Sequence, residues 1–400
     1  MSFHQSETSL TSQGRETNFD AFLRKIEKEM AQNGLMRECH DMILSLRQDL
    51  QDAQDANDIP TKIKQYIKTK VEETVWEIHQ REHAATFAWK QLPIWKKWEW
   101  ALYERLAYLI DKSDRYPLGK LKQYKATAID PSVLPGPTPL PKTRIPSILI
   151  VTPSFQQGDF IEKTIKSVLD QDYPHLTYIV QDGGSKDTTL DVLKKYDGRI
   201  IWESQKDMGQ SNAINLGFAK GRGDIMAYLN SDDLLTPYSL NIVANFFEKH
   251  PNVDMVYGNR IIMNECDLEI GRWYLPSHNE SEICYCDYIP QETMFWRREI
   301  WEKAGGTIDE SFHFAMDWDL IMRFAAAGAT IRRIPIFLGC FRVHTKQKTT
   351  SQMILIGERE MARIRRNRFG GHDPLHKKIC FFSNKAKVRS FVSRYLNFYQ

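Results

Sequence analysis

No stretch of this chain approaches the roughly 20 consecutive apolar residues that a membrane-spanning helix needs. The polar segment Met1 to Arg15 lacks the apolar core of a signal peptide, so a soluble or peripherally attached, cytoplasmic chain is expected. Cysteine is sparse: six residues in 400, at 39, 266, 284, 286, 340 and 380, without the paired spacing of a zinc site. That scatter predicts reduced thiols in a cytosol-like compartment. Net charge is nearly absent, at +3, which gives no polyanion signal and points away from nucleic acid. The phosphate-binding loop G-x-x-x-x-G-K-[ST] is missing, which argues against a P-loop nucleotide triphosphatase. Nor does a G-x-G-x-x-G turn follow the first strand, where Pro153-Ser154-Phe155-Gln156-Gln157 stands instead.

What is present falls into zones. Residues 1–15 read as disordered, and 16–129 as a helical accessory region, with a break at Asn57, Asp58 and Pro60. Phe19, Phe22, Ile26 and Met30, then Ile59, Ile63, Ile67, Val71, Val75 and Ile78, recur at threes and fours. Such amphipathic stripes also offer a route to self-association. Six prolines between 131 and 146 favour extended backbone, so 130–146 reads as a linker. Strand and helix signals then alternate. The strands are Ser147–Thr152, Thr177–Gln181, Arg199–Trp202, Ile225–Leu229 and Val253–Tyr257. The helices between them are Phe160–Asp170, Asp187–Tyr196, Gln210–Ala219 and Tyr238–Glu248. That alternation predicts an α/β fold with a mostly parallel, doubly wound sheet over 147–350.

Three of these strands end in acids: Asp182, Glu203 to Asp207, and Asp232 with Asp233. In a parallel sheet all strand carboxyl ends share one edge, so these distant carboxylates converge where open α/β sheets bind ligands. Hard oxygen donors there suit Mg²⁺ or Mn²⁺ and, through it, a diphosphate. Gly183, Gly184 and Gly209 lie beside the acids and allow a ligand close to the backbone.

Several motifs in this region resemble the family 2 glycosyltransferases. They are T-P-S-F-Q-Q at 152–157, T-I-K-S-V-L-D-Q-D-Y-P at 164–174 and V-Q-D-G-G-S-K-D-T-T at 180–189. E-S-Q-K-D-M-G-Q-S-N-A-I-N-L-G at 203–217 and L-N-S-D-D at 229–233 follow. Q-E-T-M-F-W-R-R at 291–298, A-M-D-W-D-L-I-M-R at 315–323 and F-R-V-H at 341–344 complete the set. The resemblance implies a GT-A fold and an inverting enzyme that uses a nucleoside-diphosphate sugar. It implies a donor site made of Thr152, Pro153, Ser154, Asp182, Gly183, Asp207, Gly209, Asn212, Asn230 and Asp232. Within it, Asp182 matches the acid that reads the base, and Asp207 a second donor-site acid. Asp232 and Asp233 match the acidic pair at ribose and metal, with His344 as a late metal or diphosphate ligand. Asp317 matches the catalytic base. Asn230 replaces the first acid of the usual D-x-D pattern, which leaves open which oxygen binds the metal. No Q-x-x-R-W element of processive synthases follows Arg323, which favours transfer of a single sugar.

The chemistry of the residues agrees. A leaving diphosphate needs charge neutralisation, and the acceptor hydroxyl needs a base. Asp317 and Asp319 would lie about 200° apart on a helix, so both cannot face one sugar. Asp319 and Arg323 have the spacing of a surface pair, which leaves Asp317 as the base. Trp296, Trp301 and Trp318 are the aromatics available for an acceptor cleft, although core packing competes for them. Asp319 would flank that cleft. The segment 351–400 alternates basic residues with Phe369, Phe381, Phe382, Phe391 and Tyr395. Two readings stand for it: a peripheral contact with an anionic membrane at the inner face, or a helix packed on the catalytic domain. A lipid-linked or other glycan acceptor fits the first. Two rival readings of the whole chain also stand: a non-catalytic sugar-nucleotide or glycan-binding protein of this fold, and a helical assembly protein.

Overall fold

The computed structural model describes residues 94–345, 347, 356–374 and 376–396. The expectations for residues 1–93, including disorder at 1–15, amphipathic helices and helix-mediated self-association, lie outside them.

The sheet begins as the sequence predicts. β1 (Ile148–Ser154) pairs in parallel with β2 (Leu176–Asp182) on one side and β4 (Ile225–Tyr228) on the other, and β3 (Ile201–Ser204) extends beyond β2. All seven residues of β1 are buried, because helices cover both faces. The period of two sends Ile148 and Ile150 into one core and Leu149 and Val151 into another. α2 (Ile161–Leu169) presents Ile161, Thr164, Ile165 and Val168 to the first core, at helical spacing. α3 (Thr189–Lys194), α4 (Gln210–Ala219) and α5 (Ser239–Lys249) follow their strands. The chain moves outward from β1 to β2 and β3, then returns to the other side of β1 with β4. That reversal opens a crevice at the carboxyl ends of β1, β2 and β4.

Beyond β4 the sheet is mixed. Its order is β3-β2-β1-β4-β8-β6-β9-β5, with β7 (Glu269–Trp273) on β6. β8 (Phe295–Arg297) is antiparallel to both β4 and β6. β6 (Met255–Met263) runs six residues past the expected end at Tyr257 and pairs in parallel with β9 (Ile331–Arg342). The short β5 (Leu234–Leu235) lies antiparallel to β9. Hydrophobicity identified the buried strands but carried no information on their direction. Three further helices, α6 (Glu280–Ile283), α7 (Arg298–Lys303) and α8 (Met316–Ala326), cover the β8 side.

Among the described residues, the N-terminal helix α1 (Ile94–Ser113) ends well before 129. Residues 115–129 instead lie against β7, with Thr127 bridged to Glu269. Residues 130–146 run largely extended over α5, where Asn241 and Asn245 donate to the carbonyls of Thr138 and Pro139 at 2.6 and 2.7 Å. α9 (Glu358–Arg368) and α10 (His376–Leu396) close the chain.

The apolar face of α10 rests on the protein, as the packed-helix reading of this segment expects. Phe381 stacks on Trp100 of α1 with ring centroids 5.0 Å apart, and Phe382 stacks on Tyr285 at 4.1 Å. Lys387 pairs with Asp111 at 2.9 Å, and Arg394 pairs with Asp114. Arg389 meets Glu282, whose side chain is fully buried, and Lys385 stands 3.8 Å from the same carboxylate. A buried carboxylate needs such cations, so these basic residues are held by acids of the protein rather than left for lipid. Arg389→Met should therefore lower stability by roughly 2–3 kcal/mol. Urea denaturation measures this, and an unchanged midpoint would show that Lys385 alone satisfies Glu282.

Candidate active site

β4 ends at Tyr228, and Asn230-Ser231-Asp232-Asp233 turn the chain into β5, with the Asp233 N–H donating to the Asn230 carbonyl at 3.2 Å. Thr164 of α2 locks this turn by donating to the carbonyls of Ser231 and Asp233 at 2.9 and 2.8 Å. The two aspartates of this turn have different surroundings. Asp233 is buried, and its Oδ1 accepts the Arg342 N–H at 3.0 Å. Burial pushes its carboxyl well above the usual range, and repulsion from Asp232 and Glu292 adds to this. Asp232 is part-exposed, with Oδ2 2.9 Å from His344 Nε2. The two aspartates therefore differ in setting: Asp233 is buried against the Arg342 backbone, whereas Asp232 keeps some exposure beside His344.

His344 leans on Phe160 at 4.7 Å, and its Nδ1 is buried without a hydrogen-bond partner. Behind the pair, Arg342 is fully buried; its Nε donates to the Asp232 carbonyl at 2.8 Å, and Nη1 reaches Asp267. Sequence reasoning missed Arg342 as a support, although it stands in the F-R-V-H motif. Among the described residues, no three acidic, histidine or cysteine side chains form a closed metal cage. One carboxylate and one imidazole still fit Mg²⁺ or Mn²⁺, since such an ion takes its remaining ligands from water and substrate phosphates.

On the donor side, Asp182 closes β2 and is fully buried. Its Oδ2 accepts the N–H groups of Gly184 and Ser185, at 3.1 and 2.8 Å, and the Ser204 hydroxyl at 2.6 Å. Its Oδ1 accepts the Ser185 hydroxyl at 2.6 Å. Both oxygens are thus engaged by protein groups, so Asp182 shapes the loop at the end of β2. A Cβ on Gly183 would meet Asp207 Oδ2 at 2.9 Å, so glycine there lets Asp207 approach the end of β2. Asp207 Oδ1 in turn accepts the N–H of Gly209, which starts α4 with φ +109°. The Asn212 amide accepts from the Met208 N–H at 3.2 Å and donates to Glu310 at 3.1 Å.

Pro153 lies in β1 opposite Gln181, and Ser154 opposite Asp182, with the Ser154 hydroxyl buried and unpartnered. Thr152 sits deeper, its hydroxyl 3.0 Å from that of Tyr178, and so belongs to the core. Asn230 joins a chain of amides that the sequence did not reveal. Gln210 donates to Asn230 at 2.7 Å, Asn230 to Gln291 at 3.0 Å, and Gln291 to the Tyr228 carbonyl at 2.6 Å. The Q-E-T motif at 291–293 held the signal for Gln291.

On the acceptor side, Asp317 lies in the first turn of α8, half-buried, and its Oδ1 accepts the Trp318 N–H at 2.9 Å. Burial pushes its carboxyl up to about 6, with Arg260 opposing and Glu292 reinforcing the shift. Asp319 pairs with Arg323 Nε at 2.8 Å, as its spacing predicts. The tryptophans correct the sequence reading. Trp296 and Trp318 are fully buried and Trp301 nearly so, all in one core cluster, and Trp318 Nε1 donates to the Ile283 carbonyl at 2.8 Å. Large apolar rings beside β8 and α8 gain more from core burial than from a solvated cleft. Beneath the site, Arg260 and Glu292 form a buried ion pair, with Nε to Oε1 at 2.7 Å.

The model of glycosyl transferase family 2 matches residues 149–318. An uncharacterised glycosyltransferase of Mycobacterium tuberculosis is 30% identical over 192 residues, covering 46% of this chain and 70% of that protein. The chondroitin synthase of Escherichia coli is 28% identical over 189 residues, and this chain spans only 27% of its length. Among solved structures, a mannosyltransferase from Pyrobaculum calidifontis in complex with GDP-Man and Mn²⁺ aligns with TM-score 0.47 and 15% identity, covering 74% of this chain and 82% of that one. The family's match runs from β1, through the acid-bearing strand ends, to the turn that carries Asp317, and this chain belongs to glycosyl transferase family 2.

Proposed function

We propose that this chain transfers a single sugar, with inversion, from a nucleoside-diphosphate sugar to a hydroxyl of a glycan or lipid-linked acceptor in polysaccharide synthesis. The observation that carries this reading is the Asp232–His344 pair at the strand ends, with Asp317 at the head of α8.

Asp232 and His344 would hold Mg²⁺ or Mn²⁺. Bound there, the ion supplies positive charge to the leaving diphosphate. Asp207, Gly183 and the Asn230–Gln291 amides border the donor. Asp317 accepts the acceptor hydroxyl proton as the oxygen attacks the anomeric carbon. The bond to the diphosphate breaks on the opposite face, so the anomeric centre inverts. The half-buried setting of Asp317 raises its affinity for that proton.

A panel of UDP and GDP sugars with Mg²⁺ or Mn²⁺, read as released nucleoside diphosphate, tests the reading. At least one donor should be turned over. Asp317 works ionised and its carboxyl titrates at about 6, so the rate should rise with pH through about 6 and level off above it. A protein that binds and cleaves no nucleotide sugar would sink the proposal; a rate flat from pH 5 to 8 would sink the base assignment.

A further inference from the structure

Asp317 comes two residues after Ala315, which opens α8 with no side-chain cap of its own. The hold on this helix entry comes from elsewhere in the chain. Glu360 of α9 is buried, and its carboxylate accepts three successive backbone N–H groups just before α8. Oε1 takes that of His313 at 2.8 Å; Oε2 takes those of Phe314 at 2.8 Å and Ala315 at 2.9 Å. A carboxylate is an acceptor-only group, and its bonds to backbone N–H groups are of the strong, charge-assisted kind. The Ala315 carbonyl in turn accepts the Asp319 N–H at 3.0 Å, so the residue that Glu360 grips is the one that starts the helix.

The strap of residues 308–315 is fastened along its length. On the α9 side, the Arg363 guanidinium lies over the Phe312 ring at 4.2 Å and donates to the Ser311 hydroxyl at 2.9 Å and to Asp309 at 3.3 Å. On the other side the strap is tied to α4, the helix that follows the donor-side Gly209. Ser211 donates to the Phe312 carbonyl at 2.9 Å, and the Asn215 amide exchanges hydrogen bonds with the Ile308 backbone at 2.8 and 3.0 Å. Asn212 and Asn215 both donate to Glu310. Ile364 of α9 is buried in the same core cluster as Ala315 and Trp318, so the helix that carries Glu360 is itself anchored beside the base. Neither Glu360 nor Arg363 falls in any of the sequence motifs, the last of which ends at His344.

We propose that Glu360 is a positioning residue for the reaction: by gripping the N–H groups of His313, Phe314 and Ala315 it fixes the entry to α8 and so holds the Asp317 carboxylate in line with the acceptor hydroxyl. This role rests on the transferase reading and deepens it. Glu360 takes no proton and touches no substrate. It acts through the backbone that carries the base. A reacting group misplaced by about 1 Å can cost on the order of 10²-fold in rate, which sets the scale of the effect.

The test uses the full chain and the panel of UDP and GDP sugars with Mn²⁺, with water as acceptor and released nucleoside diphosphate as the readout. Glu360→Gln keeps the shape of the side chain but sets an N–H donor against one of the three backbone N–H groups. It should lower kcat about ten- to a hundredfold. Calorimetric titration with UDP or GDP should show wild-type affinity and stoichiometry, so that the loss is not one of folded protein. Hydrogen exchange of the 313–315 amides should quicken at least about tenfold, with the amides of β1 unchanged. Beside Asp317→Asn, Glu360→Gln should cost no further activity, because a positioning residue acts only through the group it positions. Arg363→Met loosens the same strap from a part-exposed site and should give the same pattern in milder form, which keeps the test decisive if Glu360→Gln folds poorly. The role is overturned if Glu360→Gln matches the wild type, if its loss persists in full beside Asp317→Asn, or if its loss follows the binding stoichiometry while Arg363→Met is silent. A wild type that turns over no nucleotide sugar fails the transferase reading, and this role with it. Turnover by the wild type beside an equally active Glu360→Gln fails only the role of Glu360.

Discussion

Asp317→Asn should lower the transfer rate on the order of 10²- to 10⁴-fold, the usual loss on removing a general base, with donor affinity near wild type. The amide keeps the size of the side chain, and its oxygen still accepts the Trp318 N–H. It cannot take the acceptor proton. The donor-side groups lie on the ends of β1, β2 and β4, apart from α8, so their geometry should be kept. Asp319→Asn makes the contrast. Asp319 pairs with Arg323, whose guanidinium also reaches the carbonyls of Ala304 and Thr307, so that variant should act on stability first. The measurement is rate and donor affinity for both variants. An active Asp317→Asn beside a dead, folded Asp319→Asn would exchange the two roles.

Asp232→Ala should abolish metal-dependent turnover, a loss of several kcal/mol in transition-state stabilisation and so about 10³-fold or more in rate. It removes one of the two proposed side-chain ligands and leaves His344 Nε2 without its carboxylate. The fold should survive, because Asp232 is part-exposed and its carbonyl, the partner of Arg342, is retained. Asp233 is the informative control. It is buried, and Asn in its place can still accept the Arg342 N–H, so Asp233→Asn should keep metal affinity near wild type. Calorimetric titration of Mn²⁺ in the presence of a nucleoside diphosphate reads both. If Asp233→Asn loses the metal and Asp232→Ala keeps it, the carboxylate assignment is reversed.

The contrast between these neighbours shows where sequence reading ended. Acids after apolar runs announced the strand ends, because a parallel sheet aligns them on one edge. Which of two adjacent aspartates is buried depends on the turn locked by Thr164 and on the approach of Arg342 from β9. Those contacts join residues more than 60 positions apart. Asp182 illustrates the same limit. Its place at the end of β2 was legible, but its capture by Ser185 and Ser204 was not, since Ser204 comes from β3. The tryptophans near the acceptor side could serve a cleft or a core, and composition does not choose. Packing among β8, α7 and α8 made them core.

By itself, the sequence determined the alternation of strands and helices, the strand-end acids, the pairing of Asp319 with Arg323 and the family motifs. Each follows from local periodicity or from spacing along one element, which the chain carries without reference to distant partners. Tertiary structure alone decided the antiparallel insertion of β8, the inward turn of Asp233, the amide chain through Gln291, the Arg260–Glu292 pair below the site and the docking of α10 on Glu282. These depend on long-range pairings, in which a buried polar group must find its partner in the folded molecule, and spacing along the chain does not record such partners.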